Sequence, residues 1–376
     1  MFRIIHDINQ IPASAWDALH DGQPFLRHAF LAALESSGSV GPARGWEPAH
    51  ATLWHDQTLI AAAPLYLKSH SWGEYVFDWA WADAYARHGQ SYYPKWLCAV
   101  PFTPVPGARL LARTEAQRSD LLRSMLEHIA ASGHSSFHLL FPDSDAPLLQ
   151  QELMQRHGVQ FHWHNKGYRH FEDFLAGMSH DKRKKIRQER RKVAESGVTL
   201  EVLEGTAIST SHWDFFYRCY AMTYAQHGGS PYLTPDFFQR IGTELPESCV
   251  LLLASREGRA IASSLLIRDD TALYGRYWGA LEHVSCLHFE ACYYAPIEYA
   301  IAQKLQRFEG GAQGEHKLAR GLDPTPTQSA HWIADEDFRT AIARFLQRES
   351  LGMQHYINEL GEHSAYRDRS RDEGAD

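Results

Sequence analysis

The sequence predicts a mixed α/β protein built from two related halves. An arrangement of apolar strand, polar turn, small-residue strand and aromatic strand occurs twice, at a spacing of about 200 residues. Each copy is followed by a helical pattern and then another short strand, the order expected of a mixed sheet. The 376 residues leave room for two domains of roughly 100–200 residues each.

In the first half, residues 50–69 (HATLWHDQTLIAAAPLYLKS) read as two strands about a polar turn at His55, Asp56 and Gln57. Residues 75–81 (YVFDWAW) supply the third strand. Residues 116–133 form an amphipathic helix that stops at Gly133, and SFHLLFP follows as a buried strand. In the second half, residues 249–270 repeat the hairpin about Arg256, Glu257 and Gly258. Residues 272–281 give its third strand, residues 289–305 its helix, and RFEGGAQ opens the next strand. The expected division is a first domain over 1–160, a connecting segment with a basic helix over 161–200, and a second domain over 201–360. The tail 361–376 has almost no large aliphatic residue and is expected to be disordered.

A net charge of −8 excludes a general nucleic-acid binder but not a local basic site. Such a site stands at 182–192, where eight of eleven residues are Lys or Arg. The five cysteines form no CxxC pair and fit reduced thiols. No signal-peptide pattern and no apolar run near the ~20 residues of a membrane span is present, so a cytoplasmic protein without membrane insertion is expected. A G-x-S-x-G elbow and a phosphate-binding Walker loop are both missing, which removes support for hydrolase and NTPase chemistry.

Four stretches resemble one known family. They are the helix from HFEACYY, the loop RFEGGAQGEHKLARG with PTPTQSAHW after it, the segment FHWHNKGYRHFEDFL, and the basic run KRKKIRQERR. Together they resemble bacterial FemAB-like proteins of the acyltransferase superfamily, from about residue 46 to residue 332. The resemblance implies two tandem GNAT-like domains. It also implies transfer of an acyl group from acyl-CoA, or of an aminoacyl group from aminoacyl-tRNA, to an amine such as that of a cell-wall precursor.

Such a reaction needs a proton acceptor, donors for an oxyanion and a cradle for the carrier. The loop 310–321 concentrates candidates between glycines. Glu315 or His316 is expected to serve as base, and Lys317 or Arg320 to hold a phosphate or an oxyanion, with Gln313 beside them. Glu290 and His288 stand at the start of the preceding helix. Arg276 and Tyr277 lie on the third strand, which GNAT-like sheets splay from its neighbour; strict alternation places their side chains on opposite faces. Trp163, Asn165 and Tyr168, with Tyr232 further on, are expected to wall a cleft. Lys182, Arg183 and Arg187 of the basic helix are expected to hold an anionic partner such as tRNA. No metal site is expected, because His162 and His164 have no Cys or carboxylate at a matching spacing. The glycine-rich pyrophosphate turn of GNAT proteins is missing at GALEHVSCLHFEA. That absence supports a carrier other than acetyl-CoA, or a non-catalytic module that binds RNA or an anionic nucleotide-linked precursor.

Overall fold

The computed structural model describes residues 1–143, 153–311, 314–362 and 365–366. Unit 1 comprises Met1–Gly158, Tyr232–Glu244 and Pro326–Gln354. Unit 2 comprises Val159–Pro231, Leu245–Thr325 and His355–Asp376. Each unit is assembled from three separated segments, where the sequence reading drew unbroken spans.

Unit 1 holds β1 (Phe2–Ile5), β2 (Trp46–Pro48), β3 (His50–His55), β4 (Thr58–Ala63), β5 (Leu65–Lys68), β6 (Lys95–Cys98), β7 (Leu111–Ala112) and β8 (Ser136–Leu140). One sheet runs β1-β3-β4-β7, and β2-β5-β6-β8 lie side by side in another. The expected hairpin is β3–β4, with its turn at Asp56 and Gln57. Its second strand is broken at Pro64, which has no N–H for a ladder, and continues in the other sheet as β5. The helix Glu115–Ala131 starts at a capping box made by Thr114 and Gln117. Its Leu121, Leu122, Met125 and Ile129 pack into one core with Ala51, Ala61, Phe137 and Leu139.

Residues 75–81 are not the third strand. Tyr75 has φ 63°, and Trp79–Arg87 is a helix. The cause is electrostatic. Lys95 is fully buried, and its Nζ donates to Ser71 Oγ at 2.9 Å, Glu74 Oε2 at 2.8 Å and the Asp78 carboxylate. A buried ammonium needs such partners, and recruiting them folds residues 71–78 into a loop. The third strand is β6 instead.

Unit 2 holds β9 (Met154–His164) from Val159 onward, β10 (Val198–Glu204), β11 (Cys249–Arg256), β12 (Arg259–Arg268), β13 (Ala272–Ala280) and β14 (Arg307–Glu309). The order is β10-β11-β12-β13-β14-β9, and only β13–β14 is parallel. β15 (Asp323–Ile333) follows, and its residues from Ser329 pair with β8. Trp163, Phe174, Leu252, Leu266, Leu273, Ile297 and Phe308 belong to the unit 2 core. The basic helix spans His180–Glu195. The helix Glu336–Glu362 runs into the expected tail. Ala365 is buried there, and Tyr366 donates to Gly321 O at 2.8 Å. These tail residues are therefore ordered; 363–364 and 367–376 lie outside the described residues. No helix among the described residues is long and apolar enough to cross a membrane.

The duplication is visible in the strand order. β5-β6-β8 and β12-β13-β14 both run as an antiparallel pair, then a helix, then a parallel pair three residues long. In unit 1 the space past the parallel pair is filled. Buried Arg109 donates to Leu140 O at 2.8 Å, Gly107 O at 3.1 Å and Val105 O at 2.7 Å. In unit 2, β13 and β14 part after Tyr274 and Glu309. β13 then runs on to Ala280 without a strand neighbour on that side among the described residues.

Candidate functional site

The site is built at this parting of β13 and β14. β14 leads into Gly310 and Gly311, and a 3-10 helix Glu315–Arg320 closes the loop. Gly311 has φ 87°, a left-handed conformation that favours glycine. Its carbonyl accepts from Lys317 Nζ at 2.7 Å. Lys317 is only 2 % exposed, and no carboxylate of the described residues pairs with it. Burial pulls its ammonium down to about 8.

Behind it runs a helical rod from Leu287 to Ala302 whose segment Glu290–Tyr294 has π geometry. Tyr293 Oη lies 3.0 Å from His316 Nε2. Tyr294 donates to Glu189 of the basic helix. The His288 ring sits 5.6 Å from Tyr293 and 6.4 Å from His316. Burial, then the nearby cations, hold His288 down to about 4, so the ring is neutral at physiological pH. His316 is shifted down for the same reasons.

His288 also lines an open groove of about 520 Å³ at the far end of β13, with Thr223, Gln226, His227, Trp278 and Glu282. The helix Thr210–Gln226 closes on β13 at Gly279, where a Cβ would stand 1.9 Å from Cys219 O. On β14, Glu309 forms the last parallel rung, opposite Tyr274. Its Oε1 accepts from Arg307 Nε at 3.0 Å. Its Oε2 has no hydrogen-bond partner among the described residues, and His162 Nε2 is 3.8 Å away.

The predicted residues fall into distinct groups. Lys317, His316 and His288 come together. Glu315 is exposed and accepts from Tyr356. Arg320 is buried, bonded to His316 O at 2.7 Å and Glu189 at 3.2 Å, and lies over the Phe289 ring at 3.5 Å. Its two Nη groups tie the loop to the basic helix, while its Nε has no hydrogen-bond partner among the described residues. Glu290 is likewise engaged by Arg190, with contacts at 3.1 Å. Arg276 and Tyr277 do not alternate. A bulge in β13 between the partners of Leu265 and Leu266 puts the Arg276 guanidinium over the Tyr277 ring at 5.1 Å.

Trp163 is fully buried in the core. Asn165 ties its own loop, accepting from Gly167 N and Tyr168 N and donating to Leu305 O. Tyr168 packs with Trp163 and Phe174. Tyr232 belongs to unit 1, where it stacks on Phe102 at 4.9 Å. These four are explained by packing and turn geometry within their own units. Gln313 lies outside the described residues. In the basic helix, Arg187 pairs with Glu172 and Arg190 with Glu290 and Glu298. No carboxylate of the described residues pairs with Lys182, Arg183, Lys184, Lys185, Arg191 or Lys192.

The sequence reading missed Glu189, Tyr293, Tyr294 and Glu309. Glu189 had a signal: a lone acid between Ile186 and Val193 on the buried stripe of a cationic helix. Glu309 had none, because its partners come from distant strands.

Two solved structures share the fold. FemX is 10 % identical over 91 % of this chain and 100 % of its own, with a TM-score of 0.52. L-PGS from Bacillus licheniformis is 10 % identical over 87 % of this chain and 98 % of its own, also at 0.52. At this identity the likeness shows the fold, a mixed α/β fold of two GNAT-like domains. Residues 7–368 match the FemAB-like family, described as one of peptidoglycan biosynthesis and recognition, and the chain belongs to it. No curated protein sequence matches the chain.

Proposed function

We propose that the chain transfers an aminoacyl or acyl group from a carrier to an amine, with aminoacyl-tRNA as carrier and a cell-wall precursor as acceptor. Family membership and the shared fold support a transferase. One observation carries the assignment to this site: a buried ammonium, Lys317, unpaired with any described carboxylate, at the parting of two parallel strands. A dry cation so placed can hold the oxyanion that forms when an amine attacks an ester or thioester carbonyl. The six cations of the basic helix that pair with no described carboxylate suit tRNA phosphates. The missing glycine-rich turn weighs against acetyl-CoA.

The test is transfer of labelled amino acids from a charged tRNA pool, and of acetyl from acetyl-CoA, to a UDP-linked muramoyl peptide bearing a free amine. Labelled peptide from charged tRNA supports the reading. Salt-sensitive tRNA binding without transfer from either carrier overturns it in favour of a binding module.

A further inference from the structure

The residue that takes the proton from the amine is left open by the groups already placed. His288 is too weak a base, Glu315 is engaged by Tyr356, and His316 is shifted down by burial with its Nε2 3.0 Å from Tyr293 Oη. We infer that Glu309 is the proton acceptor of the transfer, a step that rests on the reading given under Proposed function.

Three features place it there. Glu309 is the last residue paired across β13 and β14, two residues before the Gly311 carbonyl that holds Lys317. It is 5 % exposed, and one of its oxygens has no partner among the described residues. A buried polar atom left unpaired costs stability unless a bound group completes it. The third feature is the arrangement of charge around it. Arg307 anchors Oε1 and also bonds Tyr274 Oη at 3.0 Å, and that hydroxyl donates to Asp269 at 2.8 Å. Arg276 and Asp269 act on it from β13 and the turn before it, and His162 faces it from β9. Lys317 adds positive charge around His162. Oε1 is thereby fixed while Oε2 stays available. Burial lifts the carboxyl to about 7, against partial opposition from Arg307 and Arg276. A base of that strength changes charge where the reaction runs.

In the step, the nitrogen–carbon bond forms and the carrier's ester C–O bond breaks. The amine proton moves to Glu309, and the departing hydroxyl takes a proton from the same carboxyl. Lys317 keeps its proton throughout, and no oxidant or reductant is needed.

The experiment compares kcat against pH for wild type, Glu309→Gln and Glu309→Ala, with charged tRNA and the UDP-linked muramoyl peptide as probes. The wild type is expected to show a rising limb near pH 7. Glu309→Gln should lose that limb and about 100-fold in kcat while melting no lower than wild type. Added formate should restore part of the activity of Glu309→Ala. If Glu309→Gln melts lower, Glu309→Asp keeps the charge and should retain the limb at reduced rate. A Glu309→Gln enzyme within about threefold of wild type, or one that keeps the limb, overturns the inference alone. A wild type without transfer overturns the function reading and this inference together.

Discussion

Replacing Lys317 with Met should make the protein more stable and less active. Lys317 is 2 % exposed, and burial lowers its ammonium from 10.5 to about 8. At about 1.4 kcal/mol per tenfold change in protonation, the folded state carries a charge penalty of roughly 3 kcal/mol. Lys317→Met keeps the length and removes the charge. It also loses the hydrogen bond to Gly311 O, worth about 1 kcal/mol. A net gain of about 2 kcal/mol remains. The sign with pH is set by the lowered value. The penalty is fully present below about pH 8 and fades as pH rises toward 10.5, where the unfolded lysine also loses its proton. Denaturant melts at pH 7 and pH 10 should show the gain at pH 7 and little of it at pH 10. Turnover should fall about 10²–10³-fold, the usual loss for one oxyanion donor. A variant that is less stable at pH 7, or that keeps kcat within threefold, refutes the assignment of Lys317 to the reacting centre.

Other outcomes follow from the same geometry. Lys95→Met strands Glu74 and Asp78 and should cost about 3–5 kcal/mol, read as a lower urea midpoint. Gly279→Ala drives a Cβ into the Cys219 carbonyl and should cost at least about 1–3 kcal/mol, seen as a lower melting temperature or loss of soluble protein. Charge reversal at Lys184 and Lys185 should weaken tRNA binding and reduce the slope of log affinity against log salt by about 1–2; an unchanged slope would place the RNA elsewhere.

Local signals were legible where the chain makes its own structure. The hairpin turns, the helix at 116–133 and the basic helix all appear as read. Failures came where distant partners decide. The alternation in YVFDWAW pointed to a strand, but Lys95, about 20 residues on, draws Glu74 and Asp78 inward. Arg276 and Tyr277 obey alternation only on an unbulged strand, and the bulge is set by pairing with β12. Arg320 and Glu290 looked free for chemistry because Glu189 and Arg190 stand 131 and 100 residues away. Trp163, Asn165 and Tyr168 looked like a ligand wall because aromatic and amide residues serve both recognition and packing.

Arg109 makes the asymmetry between the two copies hard to reverse. Its guanidinium feeds three main-chain oxygens in a dry interior. Cutting it back to a small residue would not create a second reaction mouth; it would leave three thirsty carbonyls with no donor, and the element would sooner collapse than open. A single substitution at Arg109 therefore does not turn the first copy into the open arrangement of the second.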